Sequence, residues 1–173
     1  NSFNLKLTKK DIEQIKKLNK DYKKDFKNEE EALLFLVNEN PLYIKNIKNP
    51  SIKLQWEIVK INPGLIQYLN KPSEKIQEFV MNYPGVKIYY VKNPIIKWQL
   101  KEIKNDKRYW SVFKRNEKRY NIINEVETKK NEKIIDELLI DYIKNDTFLY
   151  KRSVVMSKEE KMILLVKILE GKK

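Results

Sequence analysis

Six basic side chains between positions 107 and 119 are the group in this sequence best suited to recognise an anion. If the segment 107–120 forms one helix, steps of about 100° per residue place all six within an arc of roughly 140°. Three of them are arginines, whose guanidinium groups bind phosphate or carboxylate through two parallel hydrogen bonds. The sequence therefore predicts a surface that binds an anionic partner. The six residues are Lys107, Arg108, Lys114, Arg115, Lys118 and Arg119.

Two other interpretations of this segment stay open. The cations also fit an ordinary solvated helix face, with the aromatic residues of the segment as its buried side. In addition, the sequence period described below predicts a break near Asn116, which would divide the cations between two helices.

A Lys-x-Gln triplet recurs three times at a constant interval along the chain. If the units that carry it stack, equivalent side chains line up on one surface, and a ladder of lysines would follow a nucleic-acid strand. The glutamines have a structural alternative, because every helical hairpin leaves backbone groups unpaired and a Gln side chain would bond the turn of the neighbouring unit. The triplets are Lys53-Leu54-Gln55, Lys75-Ile76-Gln77 and Lys97-Trp98-Gln99.

Three tyrosines form another candidate contact. If exposed, Tyr89, Tyr90 and Tyr109 would stack on unpaired bases or anchor a protein partner. Packing in the core or at its rim is the ordinary alternative for each ring. The adjacent pair Tyr89-Tyr90 is where exposed rings are expected first.

Composition excludes most enzyme chemistry. There is no His to act as a base, no Cys for a thiol or a thiolate metal site, and three glycines are too few for a glycine-rich phosphate loop. Carboxylate chemistry is left, since Asp136, Glu137 and Asp141 share one predicted helix and Glu29 to Glu31 cluster on another; some HEAT-like DNA glycosylases act through a single carboxylate. An exposed face and a helix N-terminus explain these clusters without catalysis. We therefore expect a protein that is not an enzyme and takes no metal or cofactor.

The elements that must position these residues follow a fixed period of about 22 residues between Ile44 and Ile103. A fixed period of this size indicates stacked supersecondary units. Each unit opens with a dipeptide in which Pro suits the first helical turn, and a second Pro nine or ten residues later starts another helix. The opening dipeptides are Asn40-Pro41, Asn62-Pro63 and Tyr83-Pro84, and the second prolines are Pro50, Pro72 and Pro94.

Outside the clear units the period weakens. Asn28 and Glu31 form a capping box that begins an apolar half-unit, and positions 106–127 form a degenerate unit that holds the basic segment. We expect one domain over residues 1–173. Its parts are capping helices at 1–39, clear units at 40–105, the degenerate unit at 106–127, and capping helices at 128–173, which include Lys130 to Lys144 and a last helix capped by Ser157.

The dipeptide Asn-Pro, a following Ile, Lys-Asn-Pro-Ser at positions 48–51 and the Lys-aliphatic-Gln triplet together carry a resemblance. This pattern resembles the short Asn-Pro-punctuated helical-hairpin repeats of phage and mobile-element proteins, and more loosely HEAT-type solenoids. The likeness covers Asn40 to Ile103. It implies an all-α fold, a short right-handed helical-hairpin solenoid, and binding as the function.

Charge points to the class of partner. The net charge is +13 and the pI about 9.6, so nucleic acid is the expected partner. An AT-rich genome would also enrich lysine. The alternative function is a protein-binding inhibitor or adaptor, of phage or mobile-element origin, that acts on a nucleic-acid-handling host-defence enzyme. Without a long apolar stretch, the chain is expected to avoid membranes and to be cytoplasmic.

Overall fold

The structure is a computed structural model that describes residues 9–22 and 25–171. Every regular element in these residues is a helix, which confirms the predicted all-α class. None of these helices is both long and apolar enough to cross a bilayer. The α-helices are α1 (Lys9–Tyr22), α2 (Glu29–Glu39), α3 (Ile52–Ile61), α4 (Glu74–Met81), α5 (Ile96–Asn105), α6 (Arg108–Arg115), α7 (Ile122–Glu127), α8 (Glu132–Ile143), α9 (Thr147–Val154) and α10 (Lys158–Leu169), and 3₁₀ helices span Pro41–Asn46, Pro63–Tyr68 and Ile88–Tyr90.

The chain divides into two compact units, Asn1–Lys92 and Asn93–Lys173. This boundary falls inside the third period of the sequence. The 3₁₀ helix Ile88–Tyr90 therefore belongs to the first unit, and α5 belongs to the second. The expectation of one domain stays a prediction.

In the first unit, α1 and α2 pack against each other through a small apolar cluster. Leu18 of α1 lies with Ala32 and Leu36 of α2, and all three side chains are buried. The pattern Thr8-Lys-Lys-Asp11 predicts a helix capped by Thr8 that ends near Asn19, and α1 extends past that residue to Tyr22. The predicted cap of this helix, Thr8, lies outside the described residues.

Of the predicted capping box of α2, the bond to the Asn28 side chain is confirmed. The Glu31 side chain bonds the backbone of Lys27 and not that of Asn28. Asn28 Oδ1 accepts a hydrogen bond from the backbone N of Glu31 at 2.9 Å. The Glu31 carboxylate accepts from the backbone N of Lys27 at 3.1 Å. Both bonds satisfy backbone donors that would otherwise be unpaired at the start of the helix.

Two hydrogen bonds open the first two sequence periods in the same way. Asn40 Oδ1 accepts from the backbone N of Leu42 at 3.2 Å, and one period later Asn62 Oδ1 accepts from the backbone N of Gly64 at 2.9 Å. A proline follows each asparagine at the first helical position. The predicted helix starts at Asn40-Pro41 and Asn62-Pro63 are thus confirmed.

The helices that follow are 3₁₀ helices. The backbone N of Ile47 donates to the carbonyl of Ile44, and the backbone N of Leu69 donates to the carbonyl of Ile66, each at 3.0 Å and three residues apart. A proline three residues further on keeps the preceding residue out of the helical region, so neither helix grows longer.

Serine caps the longer helix of each of these periods. Ser51 Oγ accepts from the backbone N of Leu54 at 3.1 Å, and Ser73 Oγ accepts from the backbone N of Ile76 at 3.3 Å. The helices α3 and α4 therefore begin after the serines, and Pro50 and Pro72 lie in the extended segments that precede them. Apolar side chains of both helices form the core of the first unit: Leu54, Ile58, Val59, Ile76 and Val80 are buried.

The third period departs from the first two. The prediction that Tyr83-Pro84 starts a helix is wrong: this dipeptide opens a turn in which the backbone N of Val86 donates to the carbonyl of Tyr83. Tyr has no side-chain acceptor suited to an N-cap, and Pro84 stands one residue ahead of the register set by Pro41 and Pro63.

In the second unit, α8 and α10 form the most extensive helix contact. Their buried side chains include Ile135, Leu138, Leu139, Leu165 and Leu169. The helix α8 spans slightly less than the predicted Lys130 to Lys144. At the start of α10 the predicted capping box is confirmed, since the side chain and backbone of Ser157 bond reciprocally with Glu160.

The helix α9 was not predicted. Its N-cap is Asp146, whose carboxylate accepts from the backbone N of Leu149 at 3.0 Å, and Ser153 is its buried residue. With so little buried, the sequence of α9 carries no apolar period that would reveal it.

Candidate anion-binding site

The basic segment is not one helix. The helix α6 ends at Arg115, and residues 116–119 form a turn, so the prediction of a continuous helix over 107–120 is wrong. The break falls at Asn116, where the sequence period predicted it. The Asn116 side chain donates to the carbonyl of Val112 at 3.1 Å, and the backbone N of Asn116 donates to Phe113.

The turn separates the six cations into two groups. Lys107, Arg108, Lys114 and Arg115 lie on α6 or at its start, and the other two lie in the turn. Some of the six cations are paired with a carboxylate and others are not, so they are not equally available to a ligand.

Arg108 is bound to Asp106. The Arg108 Nε lies 3.0 Å from both carboxylate oxygens, and one terminal nitrogen lies 2.7 Å from Oδ2. These hydrogen bonds hold the pKa of Asp106 below its ordinary value. Asp106 also accepts from the backbone N of Arg108 at 2.9 Å, as Asn40 and Asn62 do for the residues two places after them.

Lys114 is also paired. Its Nζ lies 2.9 Å from a carboxylate oxygen of Glu170 and 3.7 Å from one of Glu127. The hydrogen bond with Glu170 raises the pKa of Lys114. Arg108 and Lys114 therefore bring less net charge to the surface than the sequence suggested.

Arg119 packs against the protein. Its guanidinium lies 5.6 Å from the centre of the Tyr120 ring, and its side chain is half-buried. The Tyr120 ring stacks on Phe113 with centroids 4.2 Å apart, and burial raises the pKa of Tyr120. The guanidinium therefore lies against the aromatic side chain that follows the turn.

Three cations of the segment are exposed and have no ion pair in the part of the chain that the structure describes: Lys107, Arg115 and Lys118. The last two lie at the end of α6 and in the turn that follows it, and α6 and α7 both contact α5, which Gln99 connects to the start of α7. Gln99 Nε2 lies 2.6 Å from Asn121 Oδ1, and Gln99 Oε1 accepts from the backbone N of Ile122 at 3.0 Å.

The helix α5 carries further positive charge. Lys97 and Lys101 each lie two residues from Gln99, and their Nζ atoms are 4.9 Å and 5.4 Å from the buried Trp98 ring. Both lysines are exposed. We call Lys97, Lys101, Arg115 and Lys118 the basic cluster.

The two other lysines of the predicted ladder belong to the first unit. Lys53 on α3 and Lys75 on α4 are exposed, and these two helices contact each other. The glutamines that accompany them have a structural role within their own periods. Gln55 Nε2 donates to the carbonyl of Pro50 and Gln77 Nε2 to that of Pro72, each at 3.1 Å.

Gln99 makes the same bond and adds a second partner. Its Nε2 donates to the carbonyl of Pro94 at 2.7 Å as well as to Asn121, which stands one period later. The predicted bond to a neighbouring turn thus occurs at Gln99. For Gln55 the bonded carbonyl is that of its own period.

Of the three predicted aromatic contacts, Tyr89 is the exposed one, with 53% of its surface accessible. Tyr90 meets Tyr89 edge-on, with ring centroids 4.9 Å apart, and packs on the core of the first unit. Tyr109 is half-buried beside Phe113. Sequence reasoning gave no separate weight to Tyr83, which is 45% exposed.

The carboxylate clusters have ordinary partners. Asp136 pairs with Lys161 at 3.2 Å and Glu137 with Lys104 at 2.8 Å, while Asp141 lies 3.3 Å from Lys144. Among the described residues there is no group of three carboxylates that could hold a metal ion. Glu30 accepts from the Ser51 hydroxyl, and Glu31 completes the start of α2.

Neither family models, nor curated proteins, nor solved structures gave a match to this chain.

Proposed function

We propose that this chain is a non-catalytic helical protein that binds nucleic acid, and that the basic cluster supplies the main phosphate contacts. The observation that carries the proposal is that the neighbouring helices α5 and α6, with the turn after α6, carry exposed cations, of which Lys101, Arg115 and Lys118 have no ion pair within the described residues. Lysine and arginine presented together in this way bind phosphates without reading the base sequence.

Local pairing supports this choice of surface. Many acidic side chains of the second unit are already paired with a lysine, as Glu132 is with Lys158 at 2.6 Å and Glu159 with Lys129 at 2.8 Å. For Lys101, Arg115 and Lys118, no carboxylate within the described residues lies in ion-pair range. These three cations therefore keep their charge available to a ligand.

We also propose that successive 22-residue periods of the sequence stack as a short right-handed helical-hairpin solenoid of the HEAT type. The recurring caps at Asn40 and Asn62 support it, as do the 3₁₀ helices of the first unit, which contact one another in chain order. Stacks of this kind present extended binding surfaces.

The experiment is a titration of a fluorescent 20-nucleotide single strand, followed by anisotropy at several salt concentrations. The double variant Arg115→Glu/Lys118→Glu should weaken binding about tenfold or more at roughly 0.1 M salt and lower the slope of log Kd against log salt by about two. The matched control is Lys130→Glu/Lys133→Glu, which makes the same charge change at exposed lysines of the second unit.

An equal loss in both double variants would show that net charge, and not the basic cluster, sets the affinity. Binding that hardly changes between about 50 and 200 mM salt would contradict phosphate recognition altogether.

A second candidate function is recognition of an acidic protein, as an inhibitor or adaptor would require. It is supported by exposed apolar side chains of α9 and of its C-cap, since Phe148 is 71% exposed, Val154 71% and Val155 83%. Lys151 and Arg152, which lie between these residues in the sequence, are exposed as well. Exposed apolar groups flanked by cations fit a partner that offers apolar side chains among carboxylates.

Photo-crosslinking from position 148 in the native host, with the exposed Ile52 as the control position, would identify such a partner. The purified partner should then bind the wild-type chain and lose about tenfold in affinity to Phe148→Ser. Equal binding of Phe148→Ser would rule out this face, as would binding to anionic vesicles in place of a protein.

A further inference from the structure

A groove in the first unit is lined by tyrosines and by exposed glycine backbone. It has a volume of about 480 Å³ and lies along the 3₁₀ helix Pro63–Tyr68 and the turn around Pro84. Tyr68, Tyr83 and Tyr90 contribute to its walls, and no carboxylate of the described residues does. The groove is thus an aromatic site without negative charge.

Gly64 fixes two amide side chains at this groove. Its backbone N donates to Asn62 Oδ1 at 2.9 Å, and its carbonyl accepts from Gln67 Nε2 at 3.1 Å. These bonds determine which way each amide points. The Asn62 amide nitrogen and the Gln67 amide oxygen then have no hydrogen-bond partner in the part of the chain that the structure describes.

The result is one fixed donor and one fixed acceptor on the same short helix. Both amides line the groove, and both side chains are exposed. A flat aromatic ring with a donor and an acceptor on its edge matches this arrangement, and a nucleobase is such a ring.

The groups around the groove fit both a stacked base and its phosphate. Tyr83 offers a partly exposed ring of the kind on which unpaired bases stack. Lys45 Nζ lies 4.9 Å from the centre of the Tyr68 ring, so a cation stands beside the aromatic wall. At Gly85 an added Cβ would meet nothing within 4 Å, which leaves the backbone there open to a ligand.

The preceding period lacks this arrangement even though its cap is the same. Asn40 accepts from Leu42 as Asn62 accepts from Gly64, but Leu42 replaces the glycine and Lys45 replaces Gln67. Asn40 does not line the groove. A Cβ at position 64 would lie 3.2 Å from Asn62 Oδ1, so glycine there keeps the amide bond undisturbed.

We propose that this groove binds an unpaired nucleobase of a single-stranded nucleic acid. The inference rests on the proposed function, because phosphate contacts by the cations would bring the strand to the protein. It adds that the ligand is single-stranded and that its bases, as well as its phosphates, are contacted.

The test compares a 12-nucleotide strand that carries bases with an abasic strand of the same length and charge. The wild-type chain should bind the base-bearing strand about fivefold or more tightly. Asn62→Asp keeps the bond from Gly64, since Asp caps as well as Asn, but replaces the amide donor by an acceptor. This variant should remove most of the preference for bases.

Asn40→Asp is the matched control, since it makes the same charge change at the same kind of cap one period earlier. It should keep the preference for bases. Equal wild-type binding of the two strands would overturn the groove proposal and leave the phosphate-binding function standing; this is also the result expected if a protein side chain were the occupant. Binding of neither strand would overturn both proposals. A preference that survives in Asn62→Asp would overturn the role of the groove.

Discussion

Gln99 and Asn121 lie one sequence period apart and are joined side chain to side chain, with Gln99 Nε2 2.6 Å from Asn121 Oδ1. Gln99 is fully buried and also bonds the carbonyl of Pro94 and the backbone N of Ile122. One side chain therefore satisfies polar groups of the α5 start and of the α7 start. It connects α5, which carries Lys97 and Lys101, to the start of α7.

Replacing Gln99 by leucine should destabilise the folded protein strongly. Gln99→Leu leaves the buried N–H of Ile122 and the carbonyl of Pro94 without that partner, and we expect a loss of about 3 kcal/mol in the free energy of unfolding. Gln55→Leu removes a single bond from a half-buried side chain and should cost about 1 kcal/mol. Urea unfolding of both variants measures the difference, and similar losses would show that the joint adds nothing.

Two equivalent serine caps should differ in strength. Ser51 and Ser73 each cap a helix, but Ser51 also donates its hydroxyl to Glu30. Ser73→Ala should cost about 1 kcal/mol, whereas Ser51→Ala should cost about 2 kcal/mol because a hydrogen bond to a charged group is lost as well. Thermal unfolding of the two variants gives the comparison. Glu30→Gln should weaken only the Ser51 contact, and an equal effect of the two alanines would contradict this assignment.

Asp106→Asn should increase nucleic-acid binding. Asn caps helices as well as Asp does, so α6 should keep its start, as the helices after Asn40 and Asn62 do. Arg108, which belongs to the basic segment, would lose its carboxylate partner and expose an unpaired charge. We expect about threefold tighter binding of a 20-nucleotide strand at low salt.

The control for this variant is Asp146→Asn, which removes the same charge at the cap of α9. An identical gain in both variants would indicate an effect of net charge alone. Weaker binding by Asp106→Asn would mean that the pair with Arg108 is needed to hold α6.

Ionisation of Tyr142 should lower the free energy of unfolding at alkaline pH. Its hydroxyl donates to the carbonyl of Ile103 at 2.7 Å, and burial raises its pKa from 10.0 to about 12. The folded state favours the neutral phenol, so this stabilisation is fully present below pH 10 and is lost as pH rises towards 12. Chemical unfolding of the wild type should show a steeper alkaline loss than Tyr142→Phe, by about 2 kcal/mol over that interval. If the free energy of unfolding of the two proteins fell in parallel with pH, this role of Tyr142 would be contradicted.

Strong local signals account for what the sequence predicted well. Asn40, Asn62 and Ser157 act on backbone donors within three residues, so their chemistry is readable without knowledge of the fold. The failures arose where one residue out of register or a few buried atoms decide the outcome. Pro84 stands one place early, and α9 buries too little to leave an apolar pattern.

The candidate site was harder to predict for a different reason. The sequence shows six cations but not that Arg108 pairs with Asp106 or that Lys114 reaches Glu170, 56 residues away. The amides at Gly64 were not recognised either, because their orientation depends on two bonds to one peptide unit.

The caps at Asn40 and Asn62, and the bond from Gln55 to Pro50, each connect groups within a single period of the sequence. These hydrogen bonds need no group from another period. The side chains that pack against neighbouring periods are chiefly apolar. A gene encoding such a period can gain or lose one copy in frame without leaving those caps unpaired. Tandem duplication is therefore a physically simple route to a chain of this length, whereas a copy of the period that holds Gln99 would also need the partner that Asn121 provides.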